Sequence, residues 1–227
     1  MKSINFESLK SNFKGEIFED KVMRTLYATD ASAYREFPLG VVFPVNHKDI
    51  EQLISFATEH KTTLIPRTAG TSLAGQVVGN GIIVDVSKTF TKILEVNKEE
   101  SWVRLQPAVV RDELNMYLKP QGLFFGPETS TANRAMVGGM VGNNSCGSNS
   151  VIYGSAREHL MEVQGYLSDG TFVTFKDISK KEFESKISEI KYKNTPSLED
   201  KVYLNAYETL SEKSNQEEIR EQFPKRS

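Results

Sequence analysis

Length, composition and charge exclude several classes of protein at the outset. The chain has 227 residues, 38% of them hydrophobic and 26% charged, so it can bury a core as one large domain or two small ones and is not a disordered protein. The formal net charge of −2 and the absence of any block of five like charges disfavour nucleic acids and membrane surfaces as partners.

The predicted elements alternate between helix and strand as far as residue 176. Apolar residues repeat at helical spacing over 50–57, and Asn46 with Asp49 resembles a capped helix start. Apolar or alternating runs predict strands at 63–65, 82–86 and 102–105. A second helix is predicted to bury one face, formed by Val110, Leu114, Tyr117 and Leu118. The fold class is therefore mixed α and β.

The texture of the sequence changes after residue 176, where Lys, Glu and Ser become frequent. Two helical patterns follow, one through Phe183, Ile187 and Ile190 and one through Tyr203, Tyr207 and Leu210. We predict a helical lead-in over 1–36, a central domain over 37–176 with an internal boundary near residue 100, and a helical extension over 177–227.

A loop of small residues, 66–76, directly follows the strand predicted at 63–65. A pyrophosphate requires several converging backbone N–H donors, and Gly70 and Gly75 would allow that close approach. Thr71 and Ser72 add hydroxyl donors, and Arg67 offers a cation. The same composition also suits an ordinary strand-to-helix turn, so both interpretations stay open.

A second glycine-rich stretch covers residues 126–154. Four glycines fall within ten residues: Gly138, Gly139, Gly142 and Gly147. Because interior glycine destabilises both helix and strand, we predict a loop that closely approaches a ligand. Asn143 and Asn144 tolerate left-handed backbone geometry and carry donors and acceptors, which suits the polar edge of a ring system or a ribitol chain. A glycine-rich turn with packed helices is the alternative.

Other nucleotide and metal sites have no support in the sequence. There is no Walker-type loop, and the segment 79–81 lacks the third glycine of a Rossmann fingerprint. His47, His60 and His159 have no metal-ligand spacing, and we interpret them as surface or core residues. The single cysteine, Cys146, excludes a disulfide framework and is expected to be a small buried residue rather than a redox group.

The N-terminal residues and the hydropathy of the chain predict a cytoplasmic location. The first residues lack the apolar core of a signal peptide, and no apolar run reaches the length of a membrane span. Peripheral association of a larger enzyme with a membrane is left open.

Several segments in order resemble the FAD-linked D-2-hydroxy-acid dehydrogenases, which include D-lactate, glycolate and D-2-hydroxyglutarate enzymes. The matching segments are 44, 66–75, 83–85, 122–127, 138–147, 153–154 and 167–170. A lead-in common in this group is matched by Tyr27, Asp30, Ala31, Ser32 and Tyr34. The resemblance covers roughly residues 27–175 and is far more specific than either loop alone.

The resemblance implies a two-lobed α+β FAD-binding domain of the PCMH type, related to vanillyl-alcohol oxidase, with peripheral helices. It implies that the pyrophosphate is held by Arg67, Thr68, Ala69, Gly70, Thr71, Ser72, Gly75 and Gln76. It implies that the ribitol and flavin are lined by Pro127, Glu128, Thr129, Gly138, Gly139, Gly142, Asn143, Asn144 and Ser148, with Tyr153 and Gly154 completing the wall. Thr68 departs from the family pattern, which usually has glycine there, as does Ala108.

The resemblance also implies an activity, the oxidation of a small D-2-hydroxy acid by hydride transfer to flavin, with the electron acceptor undetermined. Members with a histidyl flavin carry that histidine at the position of Thr71, so we expect non-covalent FAD. The family's base and metal-binding histidines lie in a cap domain, so no catalytic or metal residue is assigned, and we interpret the chain as part of a larger enzyme. The alternatives are another flavoprotein of this fold, such as a sugar-nucleotide reductase or an alditol oxidase, and a stand-alone flavin- or nucleotide-binding module.

Overall fold

The computed structural model describes residues 4–223. Residues 1–3 and 224–227, which belong to the predicted lead-in and helical extension, lie outside the described residues. Contacts divide the chain into two compact units, Met1–Leu160 and Met161–Ser227. Each unit is described by itself.

A four-stranded sheet forms the base of the first unit. Its strands are β1 (Glu16–Phe18), β2 (Gly40–Phe43), β3 (Leu64–Arg67) and β4 (Ile82–Asp85), in the order β1-β2-β4-β3. β1 is antiparallel to β2, whereas β2, β4 and β3 are parallel, with Val41 and Ile65 both in register with Ile83. Every residue of β2 and β4 is buried, as expected for central parallel strands covered on both faces.

Helices cover the two faces of this sheet. One face, with Val42, Ile82 and Val84, packs against α1 (Glu7–Lys10) and α3 (His47–Glu59), and the other packs against α2 (Lys21–Leu26). As predicted, α3 starts at Asn46, whose Oδ1 accepts a hydrogen bond of 3.0 Å from the backbone N–H of Asp49. This cap fixes the connection between β2 and α3.

A second hydrophobic core completes the first unit. Its elements are the antiparallel pair β5 (Ile93–Asn97) and β6 (Trp102–Leu105), with α4 (Arg111–Leu118), the 3₁₀ turn Lys119–Gln121, α5 (Val137–Gly142), α6 (Ser150–Tyr153) and the 3₁₀ turn Ala156–His159. Val109, Leu114, Leu118 and Val137 form the core. The predicted buried face of α4 is wrong at Tyr117, which is 52% exposed because the inward direction of the helix is set by Leu114 and Leu118.

The second unit combines a hairpin with helices. Its elements are the antiparallel strands β7 (Glu162–Tyr166) and β8 (Phe172–Lys176), followed by α7 (Lys180–Lys191), α8 (Leu198–Ser211) and α9 (Lys213–Gln222). The rings of Phe183 and Tyr203 lie 6.1 Å apart and join α7 to α8. Capping boxes at Ser179 and Ser197 start these two helices.

The predicted α+β class is confirmed. The lead-in is not purely helical, because β1 adds an edge strand to the sheet. The domain boundaries predicted at 36/37 and 176/177 stay predictions. Among residues 4–223, no helix is both long enough and apolar enough to cross a membrane.

Candidate functional site

The first loop, residues 66–76, begins at the carboxyl end of the parallel strand β3. Ligands of open α/β sheets bind at this end of the strands. Gly70 and Gly75 have φ angles of +64° and +69°, in the left-handed region that side chains strain. Glycine at these two positions therefore lets the loop turn back on itself beside the sheet.

A run of backbone donors in the first loop is unengaged. The N–H groups of residues 69–73 donate no hydrogen bond to any residue within 4–223. The next donor, the N–H of Ala74, is bound to Ser72 Oγ at 3.2 Å. Adjacent free N–H groups in a turn are a recognised way to bind an anion, and a pyrophosphate carries enough oxygens to accept from several of them.

The side chain of Arg67, at the start of the first loop, is held in place by two contacts. Its Nη1 donates to the backbone oxygen of Thr29 at 2.9 Å, and its Cζ lies 4.9 Å from the centroid of the Tyr27 ring. A Cβ atom on Gly70 would lie 2.8 Å from Arg67 Nη2. The cation is therefore fixed directly over Gly70.

The lead-in contacts the same loop. The Tyr27 hydroxyl donates to Oδ2 of the buried Asp85 at 2.7 Å, and burial together with this bond raises the pKa of the Tyr27 phenol, so the phenol keeps its proton. The N–H of Ala31 donates to the oxygen of Gly70 at 3.1 Å. Asp30 Oδ2 is buried and accepts no hydrogen bond from the described residues, which leaves an acceptor for a hydroxyl donor.

The predicted second loop is wrong over residues 137–142, which form the helix α5. The glycines are explained by close packing rather than by a free loop. A Cβ atom on Gly138 would lie 2.4 Å from Pro107 Cβ, and the N–H of Gly138 donates to the Pro107 oxygen at 2.8 Å. Close packing, which larger residues would prevent, outweighs the weak helix propensity of glycine. This agrees with the alternative interpretation, a glycine-rich turn with packed helices.

The first loop and α5 meet at Thr68 and Gly139. A Cβ atom on Gly139 would lie 2.7 Å from Thr68 Oγ1. The departure from the family pattern at Thr68 is therefore accommodated by a glycine opposite it. This contact brings the segment predicted to hold the pyrophosphate against the segment predicted to hold the flavin.

The asparagines after α5 differ in their roles. Asn144 has a left-handed φ of +47°, and its Oδ1 accepts from Ser155 Oγ at 3.0 Å and from the N–H of Arg157 at 2.9 Å. Its side chain thus already fixes the following turn. Asn143 has an ordinary φ of −89° and donates to Ser145 Oγ at 3.3 Å. The expectation that Cys146 is buried is wrong, because it is exposed on the bend between α5 and α6.

The segment 126–128 packs beneath this bend. A Cβ atom on Gly147 would lie 2.3 Å from the backbone oxygen of Glu128, and Glu128 Oε2 accepts a hydrogen bond from Asn149 Nδ2. Pro127 is fully buried. Residues 127, 128 and 147 therefore lie together, whereas Gly142 and Ser148 are exposed.

Tyr153 and Gly154 form a corner that also contains residues the sequence did not indicate. The Tyr153 ring lies edge-on to Phe124 at 5.2 Å, and its backbone oxygen accepts from His159 Nε2 at 2.6 Å. His159 in turn lies 5.6 Å from the ring of Phe125. A lone histidine carries no signal of such a contact, because the contact depends on a chain reversal at Gly154, where φ is +74°.

These features define a mixed α and β domain with a site for a dinucleotide cofactor. FAD carries a pyrophosphate, hydroxyl donors and a flat ring system. The free N–H run and Arg67 suit the pyrophosphate, and the Asp30 oxygen that accepts no hydrogen bond suits a hydroxyl donor. The glycines at 138 and 139 let α5 pack close to Pro107 and Thr68, so the helix lies beside the first loop. The described residues therefore fit the cofactor.

Comparison with known proteins identifies the family. Residues 38–176 match the family described as FAD binding domain, and the chain belongs to it. It is 44% identical over 163 residues to D-2-hydroxyglutarate dehydrogenase of Pseudomonas putida, covering 70% of this chain and 16% of that protein. It is 40% identical over 172 residues to the Escherichia coli enzyme of the same name, covering 74% of this chain and 17% of that protein.

Solved structures agree on the fold. An alkyldihydroxyacetonephosphate synthase has a TM-score of 0.66 at 21% identity, with 77% of this chain and 36% of that chain covered. Physcomitrella patens BBE-like 1 has a TM-score of 0.65 at 18% identity, with 78% and 39% covered. The resemblance to PCMH-type FAD-binding proteins and the choice of FAD as cofactor are confirmed. The individual cofactor contacts and the non-covalent attachment stay predictions.

Proposed function

We propose that this chain supplies the FAD-binding part of an enzyme that oxidises a D-2-hydroxy acid. The relatives support this, since four proteins named D-2-hydroxyglutarate dehydrogenase are 35–44% identical to it. The chain spans 16–21% of the length of these four relatives, so the substrate and activity of the whole enzyme belong to the proposal. Relatives named for D-lactate support the same substrate class.

The meeting of Thr68 with Gly139 is the observation that carries the proposal. It places the free N–H run of the first loop next to the start of α5, so one extended ligand can contact both. Arg67 and the N–H groups of 69–73 would bind the pyrophosphate and offset its charge. FAD, when bound, supplies the hydride acceptor.

The second segment would orient the other end of the cofactor. Gly138 and Gly139 let α5 pack closely on Pro107 and Thr68, which holds this helix beside the first loop. Glu128 and Tyr153 would line the ribitol and flavin, and the packing of Tyr153 on Phe124 would exclude water from one side. A cytoplasmic location stays a prediction.

The experiment that tests this function uses the full-length enzyme that contains this chain. We expect it to bind FAD and to reduce an artificial electron-accepting dye with D-2-hydroxyglutarate or D-lactate, whereas the matching L-acids serve as controls and give no reduction. Failure of the enzyme to bind FAD, or reduction by neither D-acid, would contradict the proposal.

A further inference from the structure

Residues 27–34 of the lead-in precede the segment that matches the FAD binding domain, yet they contact the first loop. The match begins at residue 38. Before that residue, Tyr27 and the Thr29 oxygen hold Arg67, and the Ala31 N–H holds the Gly70 oxygen. Further along, a Cβ atom on Gly75 would lie 2.6 Å from Tyr34 Cδ2. Contacts of residues 27–34 are thus spread along the whole first loop.

Arg67 and Asp85 are cross-strand neighbours that do not pair. They are in register on the parallel strands β3 and β4. Opposite charges at such positions ordinarily attract one another. In the described part of the chain, however, Asp85 Oδ2 accepts from the Tyr27 hydroxyl and Oδ1 accepts from the N–H of Ser87, while Arg67 is drawn onto the Tyr27 ring.

We propose that residues 27–34 are part of the pyrophosphate site and that Tyr27 is a positioning residue, which keeps the Arg67 cation away from Asp85 and available to the cofactor. This inference rests on the proposed binding of FAD by the first loop. The Tyr27 phenol occupies the competing carboxylate, and its ring supports one face of the guanidinium. The in-plane N–H groups that remain on Arg67 can then donate to phosphate oxygens.

A double substitution separates this role from a structural one. Tyr27→Phe keeps the ring, which packs edge-on against Phe43 at 5.9 Å, but frees Asp85 to pair with Arg67. We expect the dissociation constants of FAD and ADP to rise about five- to fiftyfold, and that of riboflavin, which lacks the pyrophosphate, to stay unchanged. Adding Asp85→Asn removes the competing charge, so most of the lost affinity for FAD and ADP should return.

Isothermal titration calorimetry compares the dissociation constants of FAD, ADP and riboflavin for the wild type and three variants. The variants are Tyr27→Phe, Tyr27→Phe with Asp85→Asn, and Tyr117→Phe. The last is the control, because Tyr117 is exposed on α4, and it should bind like wild type. An equal loss of riboflavin affinity, or no recovery in the double variant, would overturn the proposal. Thermal melting of each variant checks that it is folded.

Amide exchange in the ligand-free protein separates this proposal from the proposed function. The N–H of Ala31 is protected by the Gly70 oxygen, and we expect Tyr27→Phe to speed its exchange as the first loop loosens. If the wild type binds neither FAD nor ADP, the proposed function fails whatever the exchange shows. If it binds both, and Tyr27→Phe changes neither exchange nor affinity, only the role of Tyr27 is refuted.

Discussion

Gly70 combines a left-handed backbone with a position directly beneath Arg67. In Gly70→Val, strain at φ +64° and contact with the guanidinium should displace the N–H donors of the loop together. Charge-assisted hydrogen bonds are worth roughly 1.5–3 kcal/mol each, so we expect at least about a tenfold loss of FAD affinity in a fluorescence titration. Gly122→Val is the matched control, because φ there is +75° and no atom lies within 4 Å of the added Cβ. An equal change in both variants would exclude a specific role for the loop.

The residue at position 71 leads to a prediction about how the flavin is attached. A threonine offers no imidazole for a flavin link at this position, so we expect FAD to be held by non-covalent contacts alone. Acid denaturation of the loaded protein should leave a colourless pellet, with all flavin absorbance in the supernatant. A covalent flavoprotein treated in parallel controls for retention. Yellow colour in the pellet would show that a different residue forms a bond to the cofactor.

Predictions for single residues were correct where the residue type strongly favours one backbone conformation, as glycine does at positive φ. Gly70 and Gly75 were predicted to give the first loop the backbone freedom that close approach to a pyrophosphate requires, and both have positive φ. The bond between Tyr27 and Asp85 could not be predicted, because it joins residues 58 positions apart and depends on the pairing of strands. The burial of Cys146 was wrong because residue type alone does not show which side of a bend faces solvent.

The packing of α5 predicts an effect of alanine substitution that is opposite to the one expected from helix propensity. Alanine usually stabilises a helix by about 1 kcal/mol over glycine, but a methyl group on Gly138 would lie 2.4 Å from Pro107 Cβ. We therefore expect Gly138→Ala to destabilise the protein by about 1–3 kcal/mol in chemical denaturation. Gly142→Ala in the same helix meets nothing within 4 Å and should be neutral or stabilising. The interpretation fails if the two variants shift stability in the same direction.

The N-terminus of α8 contains Asp200, whose contribution to stability depends on pH. A hydrogen bond from Lys193, followed by the N–H of Ser197, lowers the pKa of Asp200 to about 2. Because the pKa is lower in the folded state, the Asp200 carboxylate stabilises the fold at pH values above its unfolded-state pKa of about 3.9. This stabilisation is lost as the pH falls towards 2. We expect Asp200→Asn to be less stable than wild type at neutral pH and equal to it near pH 2, measured by urea unfolding.

A control on the same helix isolates this effect. Glu208 is exposed on α8, and Glu208→Gln should follow the wild-type pH dependence. If Asp200→Asn differs from wild type by the same amount at every pH, the carboxylate does not contribute through its charge.

Elements were predictable where periodicity and capping agreed. Helix α3 followed from its apolar spacing and from Asn46, and β4 followed from the apolar residues Ile82, Ile83 and Val84. Helix α5 was missed because its glycines are selected by contacts with Pro107 and Thr68, which lie far away in sequence. Propensity describes the isolated segment, whereas packing decided the outcome here.

On the scale of the whole molecule, we expect that the chain by itself does not oxidise a 2-hydroxy acid. The chain covers 16% of the Pseudomonas putida relative, and the family resemblance places the base in a cap domain. Catalysis requires a base within hydrogen-bond reach of the substrate hydroxyl. Dye reduction by the 227-residue chain with D-lactate, D-2-hydroxyglutarate and glycolate should equal that of free FAD. A rate above that background would show that a base lies within these residues.

The exposure of Cys146 gives the protein a built-in attachment point. It is the single cysteine in the sequence and lies on the bend that follows α5. A maleimide fluorophore would therefore label one defined position without any substitution elsewhere. Energy transfer from such a dye to the isoalloxazine would report, in solution and in real time, the distance between the flavin ring and the segment that follows α5.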